Sequence, residues 1–400
     1  MLPTVAVTER TKIDGAKPGM NHYPMTPHPL SSPWRRNCLL VLAAAFTPTT
    51  SLNVVGVEKP QTHPRLERTN LLIYRNSKGE VAPVKSKADW QNRRAAVLTG
   101  MQEVMGPLPG KEGRCPLNVK IEEEVDCGSY VRRFITYASE LGSRVPAYLL
   151  IPKEALKGRK KFPAILCLHQ THALGQKVVV GLGKSPHDEY GVELVQRGYV
   201  CLAPPYPLLA NYAPDLKALG YQSGTMKAIW DNVRGLDLLE SLPYVKKGKF
   251  GAIGHSLGGH NSVYTAVFDQ RIKVIVSSCG LDTYLDYYDG DPENWKPERG
   301  WCQTRYMLKL AEYRGRLTDI PFDFHEMIGA LSPRVCFINA PLGDTNFRWR
   351  SVDEIAKAAS QVYQLYGVPQ NLRVEHPDCG HDFPDGMRQI AYRLFDENLK

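Results

Sequence analysis

Short apolar runs recur between residues 161 and 376, and they constrain the fold most. The runs are FPAILCLH, YVCLAPPYP, KFGAIGH, KVIVSSCG, RVCFINAP and NLRVEHP. Their nearly continuous apolar character is typical of strands that are covered on both faces of a parallel sheet. Helix-length segments fall between most of them, at residues 226–241, 259–268 and 352–366, with a last one at 387–398. The alternation predicts an α/β fold with a doubly wound, mostly parallel sheet.

The chain ahead of these runs has a different character. KIEEEVDC, YVRRFITYAS and RVPAYLLIP alternate partially and are separated by glycine-containing turns, which predicts antiparallel N-terminal strands. Residues 87–105 have helical spacing and stop at GPLPG. The first 65 residues are rich in Pro, Thr and Ser and lack sustained periodicity. We therefore predict a leader and flexible tail at 1–65, a helical accessory segment at 66–118 and the main α/β domain at 119–400.

An insertion at about residues 282–323 is too long for a simple connection between two strands. We expect it to form a cap beside the carboxyl ends of the strands. Its aromatic residues include a set of six: Tyr284, Tyr287, Tyr288, Trp295, Trp301 and Tyr306. These rings could stack on sugar rings, or they could pack against one another inside the cap.

The net charge of +9 is mild for a chain of 400 residues, and no basic stripe is apparent. Nucleic acid is therefore not an expected partner. Arg35 and Arg36 precede an apolar run at 38–46, which has the shape of a signal peptide. That run is too short for a membrane span, which needs about 20 residues. We expect a secreted or periplasmic protein without stable membrane insertion; in the alternative the run is a short buried segment and the protein is cytoplasmic.

The motif G-x-S-x-G is present as Gly254-His255-Ser256-Leu257-Gly258, directly after a buried-strand pattern and before a helical one. This context is the one in which such a serine is a nucleophile on a strained strand-to-helix turn. A glycine-rich turn without chemistry is the alternative. Because a serine hydroxyl is a weak nucleophile, the hypothesis requires a histidine base and an acid that orients it.

The base and the acid should follow in the order Ser, Asp, His, at the ends of later strands. His381 lies in the loop-like stretch DCGHDF and is a better candidate than His376, which ends a strand pattern. Asp344 follows the penultimate strand and is the first choice for the acid. Asp282, which follows the strand before it, is the alternative.

An oxyanion hole would complete the site. One donor should be the backbone N–H of Leu257, and the other should come from the loop His169-Gln170-Thr171 after an earlier strand, with Thr171 preferred to Gln170. His169 and His172 form an H-x-x-H pair, but no third ligand cluster accompanies it. We therefore predict neither a metal nor a cofactor. Cys115, Cys127, Cys302 and Cys379 could form disulfides in an exported protein.

The stretches LCLHQTHALGQK, RGYVCLAPPYP, GAIGHSLGGHNS and HPDCGHDFP together resemble the α/β-hydrolase superfamily. Within it, the chain is similar to bacterial dienelactone-hydrolase-like and acetyl-xylan-esterase-like proteins. The resemblance implies the α/β-hydrolase fold and a Ser256-Asp344-His381 triad. Serine stands where dienelactone hydrolases use cysteine, so dienelactone is a poor substrate.

We therefore expect a serine hydrolase that cleaves carboxylic esters through an acyl-enzyme, with a small-molecule or oligosaccharide ester of the acetyl-xylan type as substrate. A serine peptidase of the prolyl-oligopeptidase type is one alternative. A hydrolase-fold binding protein without catalysis is the other.

Overall fold

The computed structural model describes residues 64–400, so the predicted signal-like segment at 35–46 lies outside the described part of the chain. The strands are β1 Ile73–Arg75, β2 Val81–Pro83, β3 Lys120–Asp126, β4 Tyr130–Glu140, β5 Ser143–Pro152, β6 Phe162–Leu168, β7 Val200–Ala203, β8 Val245–His255, β9 Ile272–Ser278, β10 Val335–Asn339 and β11 Leu372–Glu375. The α-helices are α1 Lys87–Met105, α2 Lys153–Leu156, α3 Tyr190–Gln196, α4 Gly224–Ser241, α5 Leu257–Phe268, α6 Phe324–Leu331, α7 Trp349–Tyr366 and α8 Asp385–Leu399. Short 3-10 helices occupy Lys111–Gly113, Gly175–Val180, Tyr287–Gly290, Pro292–Trp295, Gly300–Cys302, Leu308–Tyr313, Leu317–Asp319 and Pro369–Asn371.

Nine strands form one sheet in the order β11-β10-β9-β8-β6-β7-β5-β4-β3. Strands β6 to β11 run parallel to one another, whereas β5 pairs antiparallel with both β7 and β4. This confirms the predicted fold class. Because β7 and β8 lie on opposite sides of β6, the winding direction reverses there, and the crevice at such a reversal is where open α/β sheets bind ligands.

The strand register aligns the carboxyl ends of five neighbouring strands. Leu168 pairs with Gly254, and His255 in the same strand pairs with Ser278. Further along the sheet, Ser278 pairs with Asn339 and Asn339 pairs with Glu375. The loops that follow β6, β8, β9, β10 and β11 therefore begin along one edge of the sheet, although they are far apart in sequence.

The core lies on both faces of this sheet. All seven residues of β6 are buried, and they alternate between the two faces. Ala164 and Leu166 pack in the cluster that includes residues of α1, α4, α5, α6 and α7. Ile165 and Cys167 pack in the cluster that includes residues of α3 and α8. Helices cover both faces, which explains why the strands are continuous apolar runs.

The segment ahead of the domain is more than a helical accessory, because the hairpin of β1 and β2 precedes α1. Ser86 and Asp89 cap α1 reciprocally at its start, and Trp90 is fully buried. Arg93 and Arg65 both form ion pairs with the buried carboxylate of Glu326 in α6, at 2.9 and 2.7 Å. The segment is thus attached to the main fold by charge pairs as well as by apolar contacts.

The insertion at 282–323 contains five of the 3-10 helices and no α-helix. Four of the six aromatic residues considered for sugar stacking are buried: Tyr284, Tyr287, Trp295 and Trp301. Tyr287 stacks on Trp301 with ring centroids 3.9 Å apart. The sugar-stacking hypothesis is therefore wrong for these four rings, because they pack against one another. Of the six, Tyr288, which is 39% exposed, and the half-buried Tyr306 have accessible surface.

The eight cysteines within residues 64–400 are all free thiols, so Cys115, Cys127, Cys302 and Cys379 form none of the disulfides considered from the sequence. Cys302 is fully buried in the core. Across the same residues, no helix has the length and apolar character needed to cross a membrane.

The end of β6 packs tightly against the first turn of α5. A Cβ added at Gly258 would lie 1.9 Å from the carbonyl oxygen of Leu168, a separation that no side chain can occupy. This contact holds the start of α5 against the loop that follows β6.

We expect Gly258→Ala to lower the free energy of unfolding by at least about 4 kcal/mol or to prevent folding, because the added methyl forces the two backbones apart. Gly386→Ala is the matched control: it lies in α8, and a Cβ there meets nothing within 4 Å. The control should be neutral or stabilising by up to about 1 kcal/mol. Urea unfolding followed by circular dichroism compares the two. Equal midpoints would contradict the proposed close contact.

Candidate active site

Ser256 lies between the end of β8 and the start of α5, at the edge where the strand ends align. Its backbone has φ 52° and ψ −119°, which is a strained conformation for a residue with a side chain. The Ser256 N–H donates to the carbonyl of Ser278 at 2.7 Å, which fixes the turn against β9. The half-buried serine thus occupies the strand-to-helix turn that the sequence motif predicts.

Asp344 and His381 come together although 37 residues separate them in the chain. Nδ1 of His381 lies 2.9 Å from Oδ2 of Asp344, in hydrogen-bonding contact. The other carboxylate oxygen, Oδ1, accepts the backbone N–H groups of Asn346 at 2.8 Å and Phe347 at 3.2 Å. The loop after β10 therefore holds the acid rigidly, and the acid orients the imidazole.

The pKa of Asp344 lies below its ordinary value. Burial opposes ionisation, but the hydrogen bond and charge of His381 and the two backbone N–H donors outweigh it. The carboxyl group is therefore ionised at neutral pH, and it accepts the Nδ1–H of His381. When the proton is on Nδ1 and not on Nε2, Nε2 can act as a base.

His381 lies beside the turn that carries Ser256. Its ring centroid is 4.8 Å from that of His255 and 5.8 Å from that of Phe347. The Ser256 hydroxyl and His381 form no hydrogen bond in this structure. In many hydrolases the hydrogen bond between serine and histidine tightens only when substrate binds. His381 is 22% exposed at its side chain, so it can be reached from solvent.

The two sequence alternatives occupy other environments. His376 contacts the carbonyl of Ala340 at 2.7 Å through Nδ1 and Asp353 at 2.9 Å through Nε2, so both its nitrogens have structural partners. Asp282 is buried, and neither of its oxygens has a hydrogen-bond partner among the described residues. The structure thus brings Asp344 to His381, and Asp282 makes no hydrogen bond to it.

The loop after β6 is fixed by His169, a role that sequence reasoning missed. Nδ1 of His169 donates to the carbonyl of Gln170 at 2.7 Å, while Nε2 accepts the backbone N–H of Tyr206 at 3.0 Å. Burial is the main reason that the pKa of His169 falls to about 4, so the ring is neutral. Because both nitrogens are engaged, His169 is not available as a metal ligand with His172.

The predicted oxyanion donors lie on either side of this contact. Leu257 is the first residue of α5, where backbone N–H groups have no acceptor within the helix. The N–H groups of Gln170 and Thr171 have no acceptor among residues 64–400. Tyr306 of the insertion packs near Leu257, and its hydroxyl lies 3.4 Å from Oγ1 of Thr171. The insertion therefore reaches the candidate site through Tyr306.

A second contact of the insertion reaches His381. Phe347 stacks on Trp301 with centroids 6.2 Å apart, and the ring centroid of Phe347 also lies 5.8 Å from that of His381. Neither Phe347 nor Tyr306 was predicted as a site residue. The position of Phe347, three residues after Asp344 in the same loop, is the sequence signal that could have indicated it.

The strand order and the serine turn define the class of protein: the chain has the α/β-hydrolase fold. The solved structure of a glucuronoyl esterase from Solibacter usitatus matches it with a TM-score of 0.67 and 18% identity. That match covers 84% of this chain and 99% of the esterase. At this identity the likeness shows the fold.

Sequence comparisons are more particular. Residues 218–367 match the family described as "Glucuronyl esterase, fungi", a region that contains Ser256 and Asp344 and ends before His381. YtaP of Bacillus subtilis, whose name describes a hydrolase, is 25% identical over 267 residues, or 64% of this chain and 84% of YtaP. 4-O-methyl-glucuronoyl methylesterase 1 of Wolfiporia cocos is 25% identical over 188 residues, and the match spans 43% of this chain but only 45% of that protein.

The buried Asp282 generates a pH-dependent prediction. Burial raises its pKa to about 7. In the unfolded chain the same carboxyl group has an ordinary pKa of about 4, so it loses its proton at a lower pH than in the folded protein. The ionisation of Asp282 therefore lowers the free energy of unfolding as the pH rises from about 4 to 7. In Asp282→Asn the free energy of unfolding relative to wild type should rise by up to about 4 kcal/mol between pH 4 and pH 8.

Urea unfolding at several pH values measures this difference. Asp378→Asn serves as the control, because the Asp378 side chain is exposed and makes no hydrogen bond or ion pair with a described residue. If the stability difference between Asp282→Asn and wild type stayed constant across this pH range, Asp282 would not be a buried, proton-binding carboxyl.

Proposed function

We propose that the protein is a serine esterase in which Ser256 is the nucleophile, His381 the general base and Asp344 the acid that orients it. The observation that carries the proposal is the hydrogen bond between His381 and a firmly held Asp344, next to the strained turn of Ser256. Three groups from three different loops with these roles are what activation of a serine hydroxyl requires.

The reaction would proceed in two halves. Oγ of Ser256 attacks the ester carbonyl as Nε2 of His381 takes its proton, and Asp344 stabilises the resulting imidazolium. The N–H of Leu257 and that of Thr171, or in second place Gln170, bind the oxyanion. His381 then protonates the leaving alcohol, which leaves an acyl group on Ser256. In the second half His381 takes a proton from water, the water attacks the acyl group, and Ser256 is restored.

For the substrate we propose an ester of a carbohydrate, with an ester of glucuronic acid as first choice and an acetylated xylan as second. The matched family and the Wolfiporia cocos protein are both named for glucuronoyl ester cleavage, which supports the first choice. The acetylated substrate follows from the resemblance in sequence. The two differ in which side of the ester bond is the sugar, so one assay panel can separate them.

Two other functions are less well supported. The relatives whose names state which bond they cleave are esterases. This disfavours a peptidase of the prolyl-oligopeptidase type. A binding protein without catalysis would have no need of a strained serine beside an oriented histidine.

We also propose that the protein is exported. The proposal is based on the signal-like segment at residues 35–46.

The assay panel contains a methyl ester of glucuronic acid, acetylated xylan, 4-nitrophenyl acetate and a peptide anilide. Ser256→Ala should lose hydrolysis of every ester that wild type cleaves, by at least about 10⁴-fold, because no other group can form the acyl-enzyme. Ser360→Ala, which removes a half-buried hydroxyl that donates to the carbonyl of Lys357 on α7, is the control and should keep wild-type rates. Cleavage of the anilide alone would favour the peptidase, and full esterase activity in Ser256→Ala would refute the nucleophile.

Asp344→Asn should lower kcat by about 10³ to 10⁴-fold with little change in KM, because the amide no longer holds His381 in the tautomer that can accept a proton. Asp282→Asn should stay within about tenfold of wild type, since that side chain does not contact His381. Steady-state kinetics on the best ester of the panel provide the comparison. A larger loss in Asp282→Asn than in Asp344→Asn would reverse the assignment of the acid.

A further inference from the structure

Cys279 is the first residue after β9, and its thiol lies next to the acid and the histidine. One coordinating atom each from Cys279, Asp344 and His381 lies within 4.8 Å of the other two. In a four-coordinate zinc site, with metal–ligand distances of about 2.0 to 2.3 Å, the ligand atoms lie about 3.3 to 3.8 Å apart. A movement of about 1 Å would therefore let all three atoms coordinate the same metal ion.

The three side chains are held where they are. Cys279 has a left-handed backbone, φ 49°, and its N–H donates to the carbonyl of Asn339 at 2.8 Å. Its thiol lies 3.4 Å from the carbonyl of Asp382. Asp344 is fixed by two backbone N–H groups, as described above. Ligands positioned in this way need little reorganisation to bind an ion.

The chemistry of this set selects the ion. A thiolate and an imidazole favour soft or borderline divalent cations such as Zn²⁺ and Cd²⁺, whereas Mg²⁺ and Ca²⁺ prefer oxygen ligands. Burial, reinforced by Asp344, raises the pKa of the Cys279 thiol, so in the absence of metal the thiol is neutral. The site is therefore compatible with an active enzyme until such an ion enters past the partly exposed His381 ring.

We propose that Cys279, Asp344 and His381 form a binding site for a soft divalent cation, and that an ion bound there switches off the esterase. The inhibition rests on the proposed function, whereas binding of the ion does not depend on Ser256. The ion would lie between Asp344 and His381, in place of the proton that they share.

Binding of the metal would release one proton from the site and move another. The Cys279 thiol loses its proton to solvent when its sulfur binds the metal. His381 binds the metal through Nδ1, so its single proton moves to Nε2. That nitrogen faces the reaction in the proposed mechanism, and once protonated it can no longer accept the proton of Ser256. The metal thus blocks catalysis by imposing the wrong tautomer as well as by occupying Asp344.

Binding is tested in the Ser256→Ala protein, which keeps the three ligands. Titration with Cd²⁺ should produce the ultraviolet charge-transfer band of a cadmium thiolate. When Cys279→Ala is combined with Ser256→Ala, the band should lose the intensity that corresponds to about one site per chain. Cys115→Ala in the same background is the control, because that half-buried cysteine lies outside the cluster. Asp344→Asn, which keeps the cysteine, should weaken the affinity for Cd²⁺ by at least about 10-fold. An unchanged titration in both the Cys279 and Asp344 variants would overturn the site.

Inhibition is tested in the enzyme with Ser256 intact, each variant being compared with its own metal-free rate. Zn²⁺ should inhibit, a chelator should restore the rate, and Mg²⁺ should have no effect. Cys279→Ala should raise the half-inhibitory Zn²⁺ concentration by at least about 100-fold, and Cys115→Ala should not. Equal sensitivity of Cys279→Ala and the parent would overturn the inhibition. An absence of esterase activity together with Cd²⁺ binding as described would refute the proposed function and leave the metal site intact.

Discussion

The close approach of Gly258 to the carbonyl of Leu168 is the contact on which the candidate site depends. It brings the start of α5 against the end of β6, two elements that about 90 residues separate. As a result, the start of α5 with Leu257 lies next to the loop after β6, in which the N–H groups of Gln170 and Thr171 have no acceptor among residues 64–400. The strained backbone of Ser256 is maintained because β8, β9 and α5 all fix the residues around it.

The acid and the histidine depend on a different set of contacts. Asp344 is held by backbone N–H groups of its own loop, so its position is set by local geometry. His381 is positioned by its hydrogen bond to Asp344 and by contact with the ring of Phe347. Phe347 in turn stacks on Trp301, whose ring belongs to the buried aromatic cluster of the insertion. The insertion therefore supports the imidazole through packing, even though most of its rings are inaccessible.

Much of this arrangement could be predicted from the sequence. Buried parallel strands have a recognisable apolar pattern, and their register places the following loops along one edge of the sheet. It can therefore be predicted from the sequence that an acid and a histidine in the right order come together there. The predicted fold is confirmed, and the structure brings Asp344 and His381 together. Sequence order made Asp344 the first choice for the acid but left Asp282 as an alternative, because both follow strands that end in the same row. The structure adds that Asp344 contacts His381 in hydrogen-bonding distance, whereas Asp282 makes no hydrogen bond to it.

Other features had no local signature. His169 fixes its loop through a bond to Tyr206, a residue 37 positions away, and Cys279 meets Asp344 and His381 only because three loops converge. The insertion's aromatic residues looked equally suited to sugar binding and to packing, since composition does not report which neighbours surround a ring. Contacts of this kind depend on the folded register of distant segments.

The central claim, that Ser256 forms a covalent bond to the substrate, is tested most directly by trapping it. A fluorophosphonate reacts with activated serine nucleophiles, and trypsin releases Ser256 in the peptide 250–271. Mass spectrometry should find one adduct per chain, on Ser256, formed much more slowly when His381 is replaced by alanine. An active enzyme that is labelled at another residue, or that is not labelled at all, would contradict the account.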